Sequence, residues 1–297
     1  MRSRAPLVSL LVLIVACSAG RVATWEKGVD TTKKGDDTGP IRAGDDAFKD
    51  RGNEASLRKA LASWEQAADA NPGNAETLTK LARGYYFLAD GYLAFDAEKS
   101  KDQKQAMLAA FEKGLIFAER ALMILSPPFA EKMKAKTDVK VAVDVIEKNA
   151  AGPLYWYATN LAKWARAKGI TTILFHKERA KKAIEHVVKI DPNYWHGGPD
   201  RYLGAFYSVL SGMMGGDVKK SKQHFDRSLE IAPAYLGTKY LLAETYYGKR
   251  AQNRKLFEDT LNEILKANPD VIPEIAPEQR VEQRKAAALL KNVEDIF

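Results

Sequence analysis

The sequence predicts an all-α chain built as a stack of antiparallel helix pairs, and three observations carry that expectation. Helical stretches rich in Ala, Leu, Lys and Glu are interrupted at Pro72, Pro127-Pro128, Pro192, Pro233 and Pro269. A large residue, a small one and then an aromatic recur as Leu81-Ala82 with Tyr85, Leu203-Gly204 with Tyr207, and Leu242-Ala243 with Tyr246, each after such a break. No strand-like alternation of any length is present. A chain of 297 residues suggests about two domains from size alone, but its 12 Pro, 20 Gly and 1 Cys among long helical stretches fit one extended helical domain. With 46% hydrophobic and 28% charged residues the chain has enough apolar surface for a sizeable core, which excludes disorder and collagen. A single cysteine excludes an internal disulfide framework and any cysteine-rich zinc or iron-sulfur site.

The first element is a leader. Arg2 and Arg4 precede an apolar run from Leu7 to Val15, too short for a permanent span, which needs about 20 residues. A signal peptide is therefore expected over residues 1–16. Ile14-Val15-Ala16-Cys17 resembles the lipobox of bacterial lipoproteins, whose cysteine takes a diacylglycerol, so Cys17 is the expected lipidation site. The alternative is an ordinary leader with an incidental cysteine. Three acyl chains would hold the chain firmly on a membrane, where one alone binds marginally. Ser18 after the anchor points to the outer membrane, and a periplasmic location follows. Loss of Arg2 and Arg4 with the leader takes the net charge from +8 to +6. The basic residues, such as Lys132, Lys134, Lys136, Lys177, Arg179, Lys181 and Lys182, are scattered without an aromatic stacking platform. They read as solvated helix faces, and nucleic acid is not an expected partner.

The stretch from Ser18 to about Pro40 is rich in Gly, Thr, Asp and Lys with Trp25 as its one large apolar residue, and residues 17–41 read as a lipidated tether. Residues 42–297 read as the helical domain. Counting back from Pro72 gives Ala67, Trp64 and Ala60, the small, aromatic and small positions of a tetratricopeptide second helix. Pro233 gives Ser228, Phe225 and Ser221, Pro192 gives Val187, Ile184 and Ala180, and Pro269 gives the degenerate Ile264, Leu261 and Phe257. The proline spacings of 55, 41 and 36 residues depart from a strict repeat of about 34. The expected architecture is a TPR-like α-solenoid of antiparallel helix pairs, that is, cryptic tetratricopeptide repeats with insertions. One insertion carries a helical stretch from Asp138 to Asn149, and Gly152-Pro153 then opens the next helix with proline in its first turn.

That helix holds the most aromatic run of the chain. Trp156, Asn160 and Trp164 fall on one stripe, flanked by Tyr155 and Tyr157. Such a face can line an apolar cleft with one orienting polar group; core packing is the competing reading. In tetratricopeptide arrays the concave positions would be Arg83, Tyr86 and Phe87, then Ala205, Ser208 and Val209, then Glu244, Tyr247 and Gly248. The connection Tyr194 to Gly204, which carries Trp195 and Arg201, adds two glycines before Pro199 and so permits an unusual backbone path. Gly212 to Asp217 faintly resembles a phosphate loop, but the spacing to Lys220-Ser221 fails the Walker pattern, and Asp217 reads as an N-cap. His176, His186, His196 and His224 are dispersed, and neither a His-Glu-x-x-His nor a Gly-x-Ser-x-Gly motif occurs. No enzyme activity, metal or cofactor is expected.

With these residues in view, the chain resembles the TRAP transporter T-component family (TatT), exported bacterial lipoproteins with cryptic tetratricopeptide repeats. The resemblance rests on Leu-Tyr-Trp-Tyr-Ala at 154–158 with Trp164, and on Gly-Gly-Pro-Asp-Arg-Tyr-Leu-Gly-Ala at 197–205. It continues through Gly-Gly-Asp with Lys220-Ser221 and His224-Phe225, Arg254 with Leu256-Phe257, Ala276-Pro277-Glu278-Gln279, and the run from Gln283 to Phe297. Ser211 and Asn253 depart from the proline and aspartate expected there. The resemblance implies a periplasmic accessory protein of a tripartite ATP-independent periplasmic transporter, associating with its substrate-binding protein. It also implies a ring-forming homo-oligomer, a trimer, with an apolar cleft in each protomer for a hydrophobic small molecule or lipid. Met213 and Met214 suit an adaptable subunit contact, with a buried loop as the alternative reading. The alternative is a scaffold for envelope assembly that holds peptide in the groove.

Overall fold

The computed structural model describes residues 21–28 and 30–297; the leader and Cys17 lie outside the described residues. The chain is 79% helical, with no strand among the described residues. A short α1 (Thr24–Lys27) leads into α2 (Thr38–Lys49), α3 (Glu54–Ala70), α4 (Ala75–Gly91) and the long α5 (Lys101–Leu125). Next come α6 (Pro127–Lys134), α7 (Val139–Ala142), α8 (Ala151–Lys168), α9 (Ile170–Ile190) and α10 (Tyr194–Val209). The chain closes with α11 (Val218–Ile231), α12 (Leu236–Leu241), α13 (Arg254–Lys266) and α14 (Ala276–Lys291). No helix among the described residues is long and apolar enough to cross a membrane.

Local chemistry sets the helix starts. Asn53, Asn74, Ser100, Asp217 and Asn253 each accept a backbone N–H of the following first turn, satisfying donors that a helix otherwise leaves open. The long helices then pack in successive pairs, α2 on α3, α4 on α5, α8 on α9 and α10 on α11, with α5 also against α8, as in a solenoid-like stack. Close approach depends on small residues at the facing positions. A Cβ at Gly204 would stand 2.8 Å from the Phe225 ring, so α10 meets α11 only because glycine is there. One core cluster runs from Trp25 to Tyr207 and takes in Val281, while a smaller one surrounds Phe257 and Leu261.

Three features differ from the sequence expectation. The stretch read as a tether is docked from its fifth residue. Trp25 is buried with its ring 5.7 Å from Phe129 and 5.3 Å from Tyr157, and the buried Glu119 accepts from Arg21 and from the Thr24 N–H. A buried carboxylate and an aromatic seat therefore hold residues that composition alone marks as solvated, and α2 begins before residue 42. The Asp138 to Asn149 helix is only the single turn of α7 followed by two 3₁₀ turns, Val143–Val145 and Lys148–Ala150. Its run of β-branched valines, stiff at χ1, gives a continuous helix little support. Finally, Leu242–Tyr247 continues α12 as a π-helix, with Gly248 N–H donating to Ala243 O at 2.9 Å. That wide turn is rare and gathers at functional sites.

The array closes on itself. α14 returns to pack on α4, and Glu278 of α14 accepts from both Arg51 and Arg83. Lys285 of α14 pairs with Asp90, which also accepts from Lys163 of α8 at 2.5 Å.

Candidate functional site

Inside this curl lies a cavity of about 140 Å³ between α8, α9 and α10. Ala162, Ala165, Ile173, Phe206 and Val209 make it apolar. A smaller chamber of about 60 Å³ is walled by Arg83, Asp90, Trp195, Glu278, Glu282 and Lys285. Tyr86, Tyr155, Lys163, Arg201 and Leu241 belong to the walls of both. The site thus has a greasy side and a charged side, with tyrosines and one arginine at the join.

Arg201 organises that join. Its Nη1 donates to His196 O at 3.0 Å, and its Nη2 to Trp195 O at 3.1 Å and to the Tyr155 hydroxyl at 3.2 Å. Trp195 and His196 have φ of 49° and 55°, followed by Gly197 at 68°. Left-handed backbone at a non-glycine residue costs about 1–3 kcal/mol, so two in succession require support. The support comes from the guanidinium that gathers their carbonyls, and from the Trp195 ring wedged against Trp156 at 5.2 Å and under Arg83 at 4.1 Å. Such strain, over-determined by its surroundings, concentrates at binding sites.

The charges of the polar chamber are fixed rather than labile. Burial pushes the Asp90 and Glu278 carboxyls up, but Lys163 with Lys285, and Arg51 with Arg83, outweigh it and hold both below the ordinary carboxylate range. Burial drives the Tyr86 hydroxyl well above its usual value and those of Tyr194 and Tyr235 up to about 12, so all three remain neutral hydrogen-bond donors. Among the described residues no cluster of His, Cys, Asp and Glu could hold a metal ion. The arrangement suits holding a molecule, with a dry body and a polar end.

A family model for the TRAP transporter T-component matches residues 54–297. The chain belongs to that family. No curated protein matches it. The matched stretch takes in every helix from α3 onward, so the cavity and its charged chamber lie wholly within the family region of this T-component.

Of the residues singled out from sequence, Arg83, Tyr86, Phe87, Tyr155, Trp156, Trp195 and Arg201 do converge on the two chambers. Asn160, Trp164, Glu244 and Tyr247 line neither chamber. Asn160 is fully buried and donates to Ala82 O and Trp156 O. Trp164 packs edge-on against His176 and lines neither chamber. Trp156 reaches only the charged side, its Nε1 donating to the Tyr194 hydroxyl at 3.0 Å. Glu244 accepts from Arg166 on a separate open groove, and Tyr247 packs on the Phe257 cluster. The π-helix accounts for these two, since its wider turn rotates them out of the register that an α-helix would give. Cys17 lies outside the described residues.

The residues that reasoning from sequence missed are the neighbours of its own stripe. In this T-component the cavity face of α8 is Tyr155, Thr159, Ala162 and Arg166, one residue out of phase with Trp156, Asn160 and Trp164. Small side chains at Thr159, Ala162 and Ala165 leave a hollow, while the tryptophans fill the adjacent face, about 100° round the helix. That run of small residues was the available signal.

Proposed function

We propose that this protein is a TRAP transporter accessory component that holds a hydrophobic small molecule in the apolar cavity of α8, α9 and α10 and hands it to, or receives it from, the substrate-binding protein. Membership of the T-component family supports a role in the transporter. The observation that carries the ligand reading is a hollow lined by Ala162, Ile173, Phe206 and Val209 in a core otherwise filled by aromatic side chains. Apolar cavities of this size stay dry and take apolar guests. The reading includes export, acylation at Cys17, attachment to the outer membrane, and assembly of several copies.

Native mass spectrometry of the purified chain, before and after mild organic extraction, tests the reading. A co-purifying apolar molecule, lost on extraction and regained on incubation with envelope lipid extract, is the expected result. A chain that carries nothing and regains nothing overturns the ligand reading. Binding to the cognate substrate-binding protein, sedimentation for the oligomer, and metabolic labelling with palmitate in wild type and Cys17→Ser test the remaining parts separately.

A further inference from the structure

The strongest unexplained feature of the molecule is a charge. Arg201 is 5% exposed and forms no ion pair with any Asp or Glu among the described residues. Arg51, the other buried arginine among them, is held by Glu278. The acceptors of Arg201 are neutral: two backbone carbonyls, the Tyr155 phenol and, at 3.4 Å, the Thr238 hydroxyl. These take the four Nη hydrogens and leave Nε–H without an acceptor among the described residues. Tyr235 lies under the guanidinium at 4.2 Å. Neutral dipoles satisfy its geometry but not its charge, and a buried cation without a counterion is costly.

The surroundings do not cancel it. The charged chamber is lined by Arg83, Lys163, Arg201 and Lys285 against Asp90, Glu278 and Glu282. Each of the three carboxylates is already hydrogen-bonded to a cation other than Arg201: Asp90 to Lys163 and Lys285, Glu278 to Arg51 and Arg83, Glu282 to Lys285. Arg201 is therefore the one cation of that lining without a carboxylate partner among the described residues, and it stands at the join of the two chambers. Beside it, the Tyr86 hydroxyl has no hydrogen-bond partner among the described residues and lines both chambers. A charged donor and a neutral donor thus flank the entrance to an apolar hollow.

We infer that the cavity takes an amphiphilic monocarboxylate, its carboxylate held at Arg201 and Tyr86 and its apolar body lying against Ala162, Ile173, Phe206 and Val209. This deepens the ligand reading above and rests on it. A carboxylate brings to Arg201 the counter-charge that its neutral acceptors do not supply. The two oxygens of a carboxylate suit one guanidinium N–H and one phenol O–H, a charge-assisted pair of the strong kind. A cavity of about 140 Å³ accepts a body of roughly benzene size, which a six-carbon chain matches.

Isothermal titration of the extracted full chain with hexanoate, hexan-1-ol and hexyl phosphate tests the inference. Hexanoate is expected to bind at least about 10-fold more tightly than hexanol, because the difference is a hydrogen bond to a charged group. Tyr86→Phe, which keeps the ring and loses only the hydroxyl, should weaken hexanoate by about 3–10-fold and leave hexanol unchanged. Arg201→Lys should abolish the preference for hexanoate over hexanol; since this change can disturb the Trp195 and His196 carbonyls, Tyr86→Phe remains the deciding variant. Equal binding of hexanoate and hexanol, or an unaltered hexanoate affinity in Tyr86→Phe, overturns the inference while the apolar-ligand reading stands. Tighter binding of hexyl phosphate overturns the carboxylate assignment. Failure of all three ligands to bind defeats the apolar-ligand reading itself.

Discussion

Arg83 on α4 donates a 2.9 Å hydrogen bond from Nη2 to Oε1 of Glu278 on α14, joining side chains 195 positions apart in the chain. The same carboxylate receives Arg51 at 2.8 Å. The last long helix is thereby drawn against the fourth, and a row of helix pairs becomes a curl around the charged chamber.

Removing the tie should show in the acid limb of stability. Glu278 has a native pKa below its ordinary value of 4.5: burial pushes it up, but Arg51 and Arg83 push it further down. The stability it contributes is fully present above that ordinary value and is lost as the pH falls through the depressed native one. Glu278→Gln should cost about 3–5 kcal/mol near neutrality, because two arginines lose a buried partner. Its Tm should also fall less steeply than wild type on acidification. Thermal melts of both proteins from neutral to acid pH check this, and parallel acid limbs would refute it.

The two tryptophans of α8 and its alanines should separate stability from ligand retention. Trp164→Ala empties a packed site and should cost about 3–5 kcal/mol, while any folded fraction still holds the apolar ligand. Ala162→Leu should behave in the opposite way, filling the cavity and abolishing ligand retention with a stability change below about 1.5 kcal/mol. Denaturant melts and native mass spectrometry of both variants provide the comparison.

Docking of the N-terminal stretch is testable by itself. Trp25→Ala should raise amide exchange over residues 24–28 by orders of magnitude, since the opening free energy there rests on one buried indole worth about 3–5 kcal/mol. Exchange that stays slow would mean that the Glu119 bonds to Arg21 and Thr24 hold the segment without it.

Asp217 should prove to be a cap. Its side chain accepts the Lys220 N–H at 3.0 Å, so Asp217→Ala should cost about 1 kcal/mol in a denaturant melt. Inorganic phosphate should shift the melt of neither protein; a phosphate-dependent rise in the wild-type midpoint would restore the phosphate-loop reading.

The small position at Gly204 facing Phe225, the cap at Asp217 and the aromatic weight of α8 were all legible in the sequence, because each is a local matter of propensity, size or spacing. The phase of α8 was not. Tryptophan is the conspicuous residue, but the largest side chains go where packing is densest, so Trp164 sits against His176 and the hollow opens over Thr159 and Ala162. Glu244 and Tyr247 were misplaced for a different reason: a π-turn has no reliable sequence signal, and it rotates every residue after Leu241.

By itself the amino-acid sequence determined an all-helical stack, its breaks at proline and its family, since these follow from periodicities and motifs contained within a few dozen residues. Only the tertiary structure decided that α14 would return to α4, that Arg201 would be enclosed without a carboxylate partner, and which face of α8 would border the cavity. The first depends on a pairing across 195 positions and the others on which helices meet, and local helical periodicity says nothing about which distant charge a side chain will meet.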